Sequence, residues 1–497
     1  MSDVATTVTT DRLETDRSLV SGVAWTAGVR WAIQVVSWLS TLIVARLLSP
    51  ADYGLIGMAM VYLGLIQLVS DFGIGGAIIQ RRALTRDQVA RLGGFSIALG
   101  FGFVLVSAAV AGPIAAFYRH PPVRDLIIVL SLGFLITGTT TVPRALLYRD
   151  LQFRKLAWIE GLEAVVLTAS TLTLALLGAR YWSLAAGSLI AKTISSIVVN
   201  AWRPHRVALP MAFRTIASEV TMGGQVAGAT VAWYLYENAD FAVVGRLMGD
   251  HALGLYTIGW TIATIPVEKI AALLQRVTFS VFSKVQHDPD ELRRYVRMLT
   301  EGLAFLAFPA AVGLALVADR LVVVALGAKW ADAAAPLRIL ALYGGFRTLA
   351  TLFPQVLVAV GRARLNFYFN LVALTVLPVI FAIGTRWGTA GVAAGWVVGY
   401  PLIVVPFFMR SALKVIRMSF WDYFKAIWPA LSGSAIMGLA VLLIRETVSP
   451  SLPIRAAFAL EVIVGAMSFA GVSLAFHRDW LRSHLNFFRS LRGAPAS

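Results

Sequence analysis

The chain has 497 residues, 58% hydrophobic and only 14% charged, with a mean hydropathy of +0.76. A soluble protein carries about 25% charged residues, so a water-soluble fold could not hide this much apolar surface, and the solvent must be partly lipid. The formal charge of +17 asks for anionic partners; with no soluble basic module, membrane-orienting loops and lipid headgroups account for it better than nucleic acid, and the absence of cysteine excludes disulfides, thiolate catalysis and cysteine metal sites.

Residues 1–18 are polar and acidic (Asp3, Asp11, Glu14, Asp16) and lack the basic start and small-residue exit of a cleavable signal, so they read as a cytoplasmic tail. About 20 apolar residues cross roughly 30 Å of hydrocarbon. That rule predicts six spans at 19–44, 53–79, 92–116, 124–146, 156–178 and 181–202. Six more follow at 217–245, 253–275, 298–325, 337–360, 365–385 and 388–411, and a last pair at 425–444 and 456–476. The expectation is an all-α polytopic membrane protein of about 14 transmembrane helices. The connector around Gln275–Arg297 reads as a solvated loop, with a short surface helix as the alternative.

Two echoes divide the chain. Ala45-Arg46-Leu47-Leu48 followed by Asp52-Tyr53-Gly54-Leu55 returns as Gly245-Arg246-Leu247-Met248 followed by Leu253-Gly254-Leu255-Tyr256. Pro143-Arg144-Ala145-Leu146 returns near Pro354-Gln355-Val356-Leu357. The predicted organisation is therefore a tail (1–18), a six-helix lobe (19–210), a second six-helix lobe (211–415) in pseudo-two-fold arrangement, a helix pair (416–480) and a C-terminal tail (481–497). Duplicated halves are a transporter architecture. With the N-terminus cytoplasmic, 28 Lys and Arg fall on the inside and 11 on the outside, which favours both termini in the cytoplasm.

Soluble-enzyme motifs are missing, and Gly73-Ile74-Gly75-Gly76 reads as close helix packing rather than nucleotide binding. All six histidines lie in or beside loops, so no metal site is expected. The informative residues are ionisable groups inside spans, which hydrocarbon tolerates only beside a partner or a wet cavity. Arg30, Lys192, Lys269 and Arg347 are candidate cations for an anionic substrate. Asp71, Glu160, Glu163, Glu237, Asp240 and Glu268 are the acidic counterparts. Glu237 and Asp240 share a helix face and, with Asp71, are candidates for binding H+ or Na+. The alternatives are interhelical salt bridges, snorkelling, or neutralisation of Arg246. Gln34, Gln225, Asn366 and Asn370 could bond sugar hydroxyls or glue helices together. Trp182, Trp330, Trp387, Tyr181 and Tyr53 fall where an interfacial aromatic belt would lie.

The run Ala45-Arg46-Leu47-Leu48-Ser49-Pro50-Ala51-Asp52-Tyr53-Gly54-Leu55, then Asp71-Phe72-Gly73-Ile74-Gly75-Gly76-Ala77-Ile78-Ile79-Gln80-Arg81, resembles the N-terminal signature of the polysaccharide transporter family. That family is the oligosaccharide flippase branch of the multidrug/oligosaccharidyl-lipid/polysaccharide exporter superfamily. The resemblance implies a V-shaped pair of six-helix lobes around a central cavity. It implies movement of an undecaprenyl-pyrophosphate-linked oligosaccharide across the bacterial inner membrane for capsule, exopolysaccharide or O-antigen synthesis. It further implies alternating access driven by ion exchange, membrane lipids and polysaccharide polymerase or chain-length machinery as partners, no cofactor beyond the coupling ion, and no enzymatic activity. It carries over only the Arg-Leu and Asp-Phe-Gly positions, as packing elements. The competing readings are a drug or cation exporter of the same superfamily, which the buried cations disfavour, and a polysaccharide polymerase or ligase, which lacks the large external loop it would need.

Overall fold

Helix starts are written into the sequence at several points. Ser49 and Asp52 cap reciprocally: the Asp52 carboxylate accepts from the Ser49 amide (2.9 Å) and hydroxyl (2.6 Å), with Pro50 in the first turn, where its missing N–H costs nothing. Thr85 and Gln88 form a capping box. Asp288 accepts from the amides of Asp290 and Glu291, again with a proline next in line.

The computed structural model describes residues 40–70, 75, 78–79, 84–208, 230–476 and 478, with side chains except at 267–281, 283 and 363. Regular structure among these residues is entirely helical. Nine helical stretches among them are long and apolar enough to cross a membrane, as expected of an all-α multi-pass membrane protein. Helices suit that setting because each satisfies its own backbone polar groups.

The chain divides into two compact units, the first ending at Val231 and the second beginning at Ala232; the lobe boundary expected at 210/211 lies outside the described residues. In the first unit, α1 (40–47) leads into α2 (Pro50–Ser70), α3 (Arg86–Tyr118), α4 (Pro122–Arg149), α5 (Phe153–Leu176) and α6 (Tyr181–Trp202). Two glycines let α3 and α4 touch backbone to backbone. A Cβ on Gly100 would sit 2.6 Å from the Phe134 carbonyl oxygen, and one on Gly138 2.7 Å from that of Ser96. Such small-residue contacts replace the hydrophobic drive that lipid cannot supply. Arg180 reaches Asp52 at 3.4 Å, fastening the start of α6 to the start of α2. Asp52 of the Ser49–Asp52 motif is thus both a helix cap and an interhelical anchor.

In the second unit, α7 (230–237) precedes α8 (Ala239–Lys284), which bends at Gly249 (φ 87°). Then come α9 (Pro289–Leu326), a 3₁₀ turn (Ala328–Ala333), α10 (Ala334–Ala350), α11 (Leu352–Ala359) and α12 (Ala363–Gly384). A single apolar stretch follows: α13 (Gly388–Ala394), π-helical turns over Gly395–Val404, and α14 (Val405–Val415). α15 (Phe420–Thr447) and α16 (Ile454–Phe476) close the unit. Carboxylates clamp one end of it. Asp319 on α9 binds Arg445 of α15 and lies 3.8 Å from Arg338 of α10, while Glu461 of α16 takes Arg320 of α9 at 2.8 Å.

Two expectations need correction. The segment Gln275–Arg297 is not a solvated connector: α8 runs to Lys284 and α9 starts at Pro289, leaving a break of four residues, 285–288. The Asp288 cap and the ion pairs Asp290–Arg293 and Glu291–Arg294 carry the helix into what composition reads as loop. Trp330 is not an interface aromatic, since it is completely buried in the 3₁₀ turn; Trp387, 68% exposed, sits as a belt residue would.

Candidate functional site

In the second unit the first polar turn of α8 meets α10 and the π-helical turns. Glu237 ends α7, and the Asn238 amide donates to the Tyr234 carbonyl (2.9 Å), closing the turn that precedes α8. Asp240 follows and is completely buried. One of its carboxylate oxygens accepts from the Phe241 amide (2.9 Å). The other accepts from the Tyr256 hydroxyl (2.6 Å) and the Trp396 indole N–H (2.7 Å). Three donors thus satisfy both oxygens of this buried carboxylate.

One turn away, Glu237 forms an ion pair with Arg347 of α10. The Arg347 guanidinium lies 5.8 Å from the Trp260 ring centre and 5.9 Å from that of Tyr343, within cation–π range. These rings belong to one cluster: Tyr343 and Trp396 are 4.9 Å apart, Trp260 and Trp396 5.6 Å, and Tyr343 and Tyr400 5.9 Å. Trp396 therefore bridges the two acidic residues, donating to Asp240 while stacking beside the rings that face Arg347. The result is a membrane-buried cation held by a carboxylate and two aromatic faces, linked through hydrogen bonds and ring contacts to a second carboxylate.

Of the residues singled out from the sequence, Glu237, Asp240 and Arg347 are brought together here. Lys192 lies in the first unit on α6, its ammonium against Gly133 of α4. Asn366 donates to the Pro354 carbonyl (3.3 Å), tying α12 to α11; Asn370 sits one turn further along α12. Glu163 accepts from Arg144 (2.6 Å) and Ser195 (3.0 Å), an interhelical polar knot joining α4, α5 and α6. Arg30, Gln34, Asp71 and Gln225, and the side chains of Lys269 and Glu268, lie outside what the structure describes. Sequence reading missed the aromatic members. Tyr256 and Trp260, Tyr343 and Arg347, and Trp396 and Tyr400 are each four apart in mid-span, a spacing that puts both on one helix face. Reading tryptophan as an interface marker hid that signal. Among the described residues no group of three or more metal-ligating side chains occurs.

The helical order just described is that of a known class of membrane proteins. The lipid II flippase MurJ in an inward closed conformation superposes with a TM-score of 0.75 over 92% of this chain and 99% of its own, at 13% identity; the likeness is one of fold. At the level of sequence, residues 43–335 match the model of the family described as polysaccharide biosynthesis protein, and the chain belongs to that family. The resemblance read from the Ala45–Leu55 and Asp71–Arg81 motifs is thereby borne out. The chain is similar to the lipopolysaccharide biosynthesis protein WzxC of Escherichia coli (strain K12), 25% identical over 82% of this chain and 84% of that protein. It is also similar to the teichuronic acid biosynthesis protein TuaB of Bacillus subtilis (strain 168), 27% identical over 91% and 94% respectively.

Proposed function

We propose that this protein is a flippase that moves a pyrophosphate-linked oligosaccharide lipid, of the undecaprenyl type, across the bacterial inner membrane by alternating access coupled to H+ or Na+. The observation that carries this reading is the buried Glu237–Arg347 pair beside Asp240. A cation held in low dielectric by a single carboxylate is a site that a stronger anion can take over. A pyrophosphate offers more charge and bidentate oxygens to the guanidinium than one carboxylate does. Once Arg347 turns to the phosphates, Glu237 is a buried carboxylate without its counter-charge, and a proton or Na+ must replace it. Substrate binding and ion uptake are then two halves of one exchange, which is the differential stabilisation of states that transport needs. No bond is made or broken, so no catalytic group is required. The family and the relatives WzxC and TuaB support the polysaccharide setting; Asn366 and Asn370 are the glycan-contact candidates within the described residues.

A drug or cation exporter is the weaker reading, because Arg347 already neutralises the carboxylate that such a pump would offer to its cargo. The test is genetic. Cells lacking this protein are expected to accumulate lipid-linked repeat units on the inner leaflet. Wild type restores export and Arg347→Ala does not. Full rescue by Arg30→Ala, Lys192→Ala and Arg347→Ala, each alone, would remove the cationic-substrate-site reading.

A further inference from the structure

The first unit holds a cleft that shares no residue with the Glu237–Arg347 site. Between the start of α3, the end of α4 and the non-helical residues 203–208 after α6 lies this cleft, of about 890 Å³. This segment is fixed in place: the Ala208 amide donates to the Ala90 carbonyl (3.0 Å), and His205 packs on Gly93, where an added Cβ would sit 3.0 Å from the imidazole. Four arginines line the cleft: Arg86, Arg149, Arg203 and Arg206. Burial holds His205 below the usual imidazole range, so the positive charge at neutral pH comes from the guanidiniums.

Among the described residues the counter-charges at this cleft are too few. Asp150 takes Arg203 at 2.7 Å and lies 3.9 Å from Arg149, so one carboxylate serves two cations. Asp87 is taken by Arg91 at 2.7 Å. Among the described residues Arg86 and Arg206 have no carboxylate partner, and the Nε of Arg203 is buried with no acceptor. The α3 N-terminus does not explain the charge, because Thr85 and Gln88 already satisfy it. Guanidiniums crowded around an open space repel one another unless an anion sits among them. The walls also define what kind of anion. Leu84, Val89, Leu146 and Val207 give the same cleft an apolar side, which a free ion would leave bare and an amphipathic one would cover.

We propose that this cleft is a binding site for the phosphoryl headgroup of an acidic membrane lipid, held by Arg86, Arg203 and Arg206, with the glycerol and upper acyl region against the apolar wall. The site belongs to the first unit alone and is independent of the Glu237–Arg347 exchange. Full-length protein in a neutral detergent, titrated with phosphatidylglycerol and with phosphatidylcholine and followed by native mass spectrometry, tests it. Wild type should retain phosphatidylglycerol selectively, and Arg86→Gln with Arg206→Gln should weaken that retention about 30-fold. Both side chains are exposed and free of carboxylate partners, so the variant keeps the fold; its thermal midpoint is read alongside. The matched control is Arg386→Gln with Arg455→Gln, exposed arginines of the second unit. Equal retention by the Arg86/Arg206 variant and wild type would overturn the proposal. So would an equal loss in the control pair, which would reduce the effect to bulk charge. Inorganic phosphate that displaces the lipid at matched concentration would overturn the lipid assignment, whereas failure of phosphate to compete supports it.

Discussion

Asp240 is the residue whose surroundings are most completely specified. Its carboxylate has a hydroxyl donor from Tyr256, an indole donor from Trp396 and an amide donor from Phe241, with no water-exposed surface. Removing one donor leaves a buried carboxyl oxygen under-satisfied, at a cost of about 1–3 kcal/mol. Tyr256→Phe and Trp396→Phe are each expected to lower the thermal midpoint of the purified protein by a corresponding amount. On an Asp240→Ala background, where the acceptor is gone, the Tyr256→Phe effect should shrink to a few tenths of that; an undiminished effect would mean the hydroxyl matters for packing alone. Arg347 and Glu237 obey the same logic in pairs. Arg347→Met strands a mostly buried carboxylate and is expected to destabilise by about 3–5 kcal/mol, whereas adding Glu237→Gln should recover most of that loss. If the proposed exchange holds, export should stay lost in both variants, because neither retains the Arg347 cation. A double variant that exports normally would separate the ion pair from function. The charges of this site were legible from sequence, since ionisable residues in apolar spans are conspicuous. Their mutual pairing was not: Glu237 and Arg347 are more than a hundred residues apart, and nothing local says that α7 and α10 meet.

At the level of the helix, the legible signals were chemical and local. Caps at Ser49–Asp52 and Thr85–Gln88 mark helix starts that hydropathy windows blur, and Asp288-Pro289 marks a start that hydropathy misses altogether, because the first turns of α9 are charged. The π-helical turns over Gly395–Val404 were invisible as such: a window of uniform hydrophobicity reads 388–411 as one ordinary span, yet the widened turns are where Trp396 and Tyr400 enter the ring cluster. Wide turns of this kind often accompany functional sites. What holds that segment against α12 is a glycine pair. A Cβ on Gly384 would come within 2.6 Å of the Gly391 carbonyl oxygen, and Gly391 meets Gly384 more closely still. Backbone cannot give way as a side-chain tip can, so Gly384→Val should push α13 away and lower stability by about 1–3 kcal/mol. Gly102→Ala, where an added Cβ meets nothing, is the comparison and should be near neutral. Because Trp396 stands just beyond α13, Gly384→Val on a Trp387→Phe background, which removes the tryptophan at the glycine contact itself, is also expected to change Trp fluorescence; an unchanged spectrum would confine the effect to local repacking.

For the molecule as a whole, the internal echo set the same motif, an Arg-Leu pair at a span exit and then a short polar loop, in each half of the chain, and the structure puts a break in the helix at each copy. The first copy is the break at Leu48–Ser49 between α1 and α2, and the second is the Gly249 kink inside α8, each just beyond an Arg-Leu pair. Repetition was readable because it is a relation within the sequence, and two lobes were expected from it; which helices pack on which within a unit is a matter of long-range contacts and was not readable. Sidedness is a further whole-molecule property, and the charge count decides what to expect of it. α3 has 33 residues, which at about 1.5 Å per residue is roughly 50 Å, more than the hydrocarbon thickness of about 30 Å. Arg86 at its start and Arg124 beyond its end therefore face opposite sides of the membrane. With 28 basic residues assigned inside against 11 outside, Arg86 and Arg206 should face the cytoplasm and Arg124 and Arg386 the exterior. The chain has no cysteine, so single cysteines at those four positions can be labelled without background. An impermeant maleimide applied to intact cells should react at 124 and 386 and reach 86 and 206 only after permeabilisation. The inverted pattern would turn the protein over, and the basic cleft would then meet the outer leaflet. Labelling of 86 and 124 from the same side would contradict the span of α3 itself, since no single crossing could then separate them.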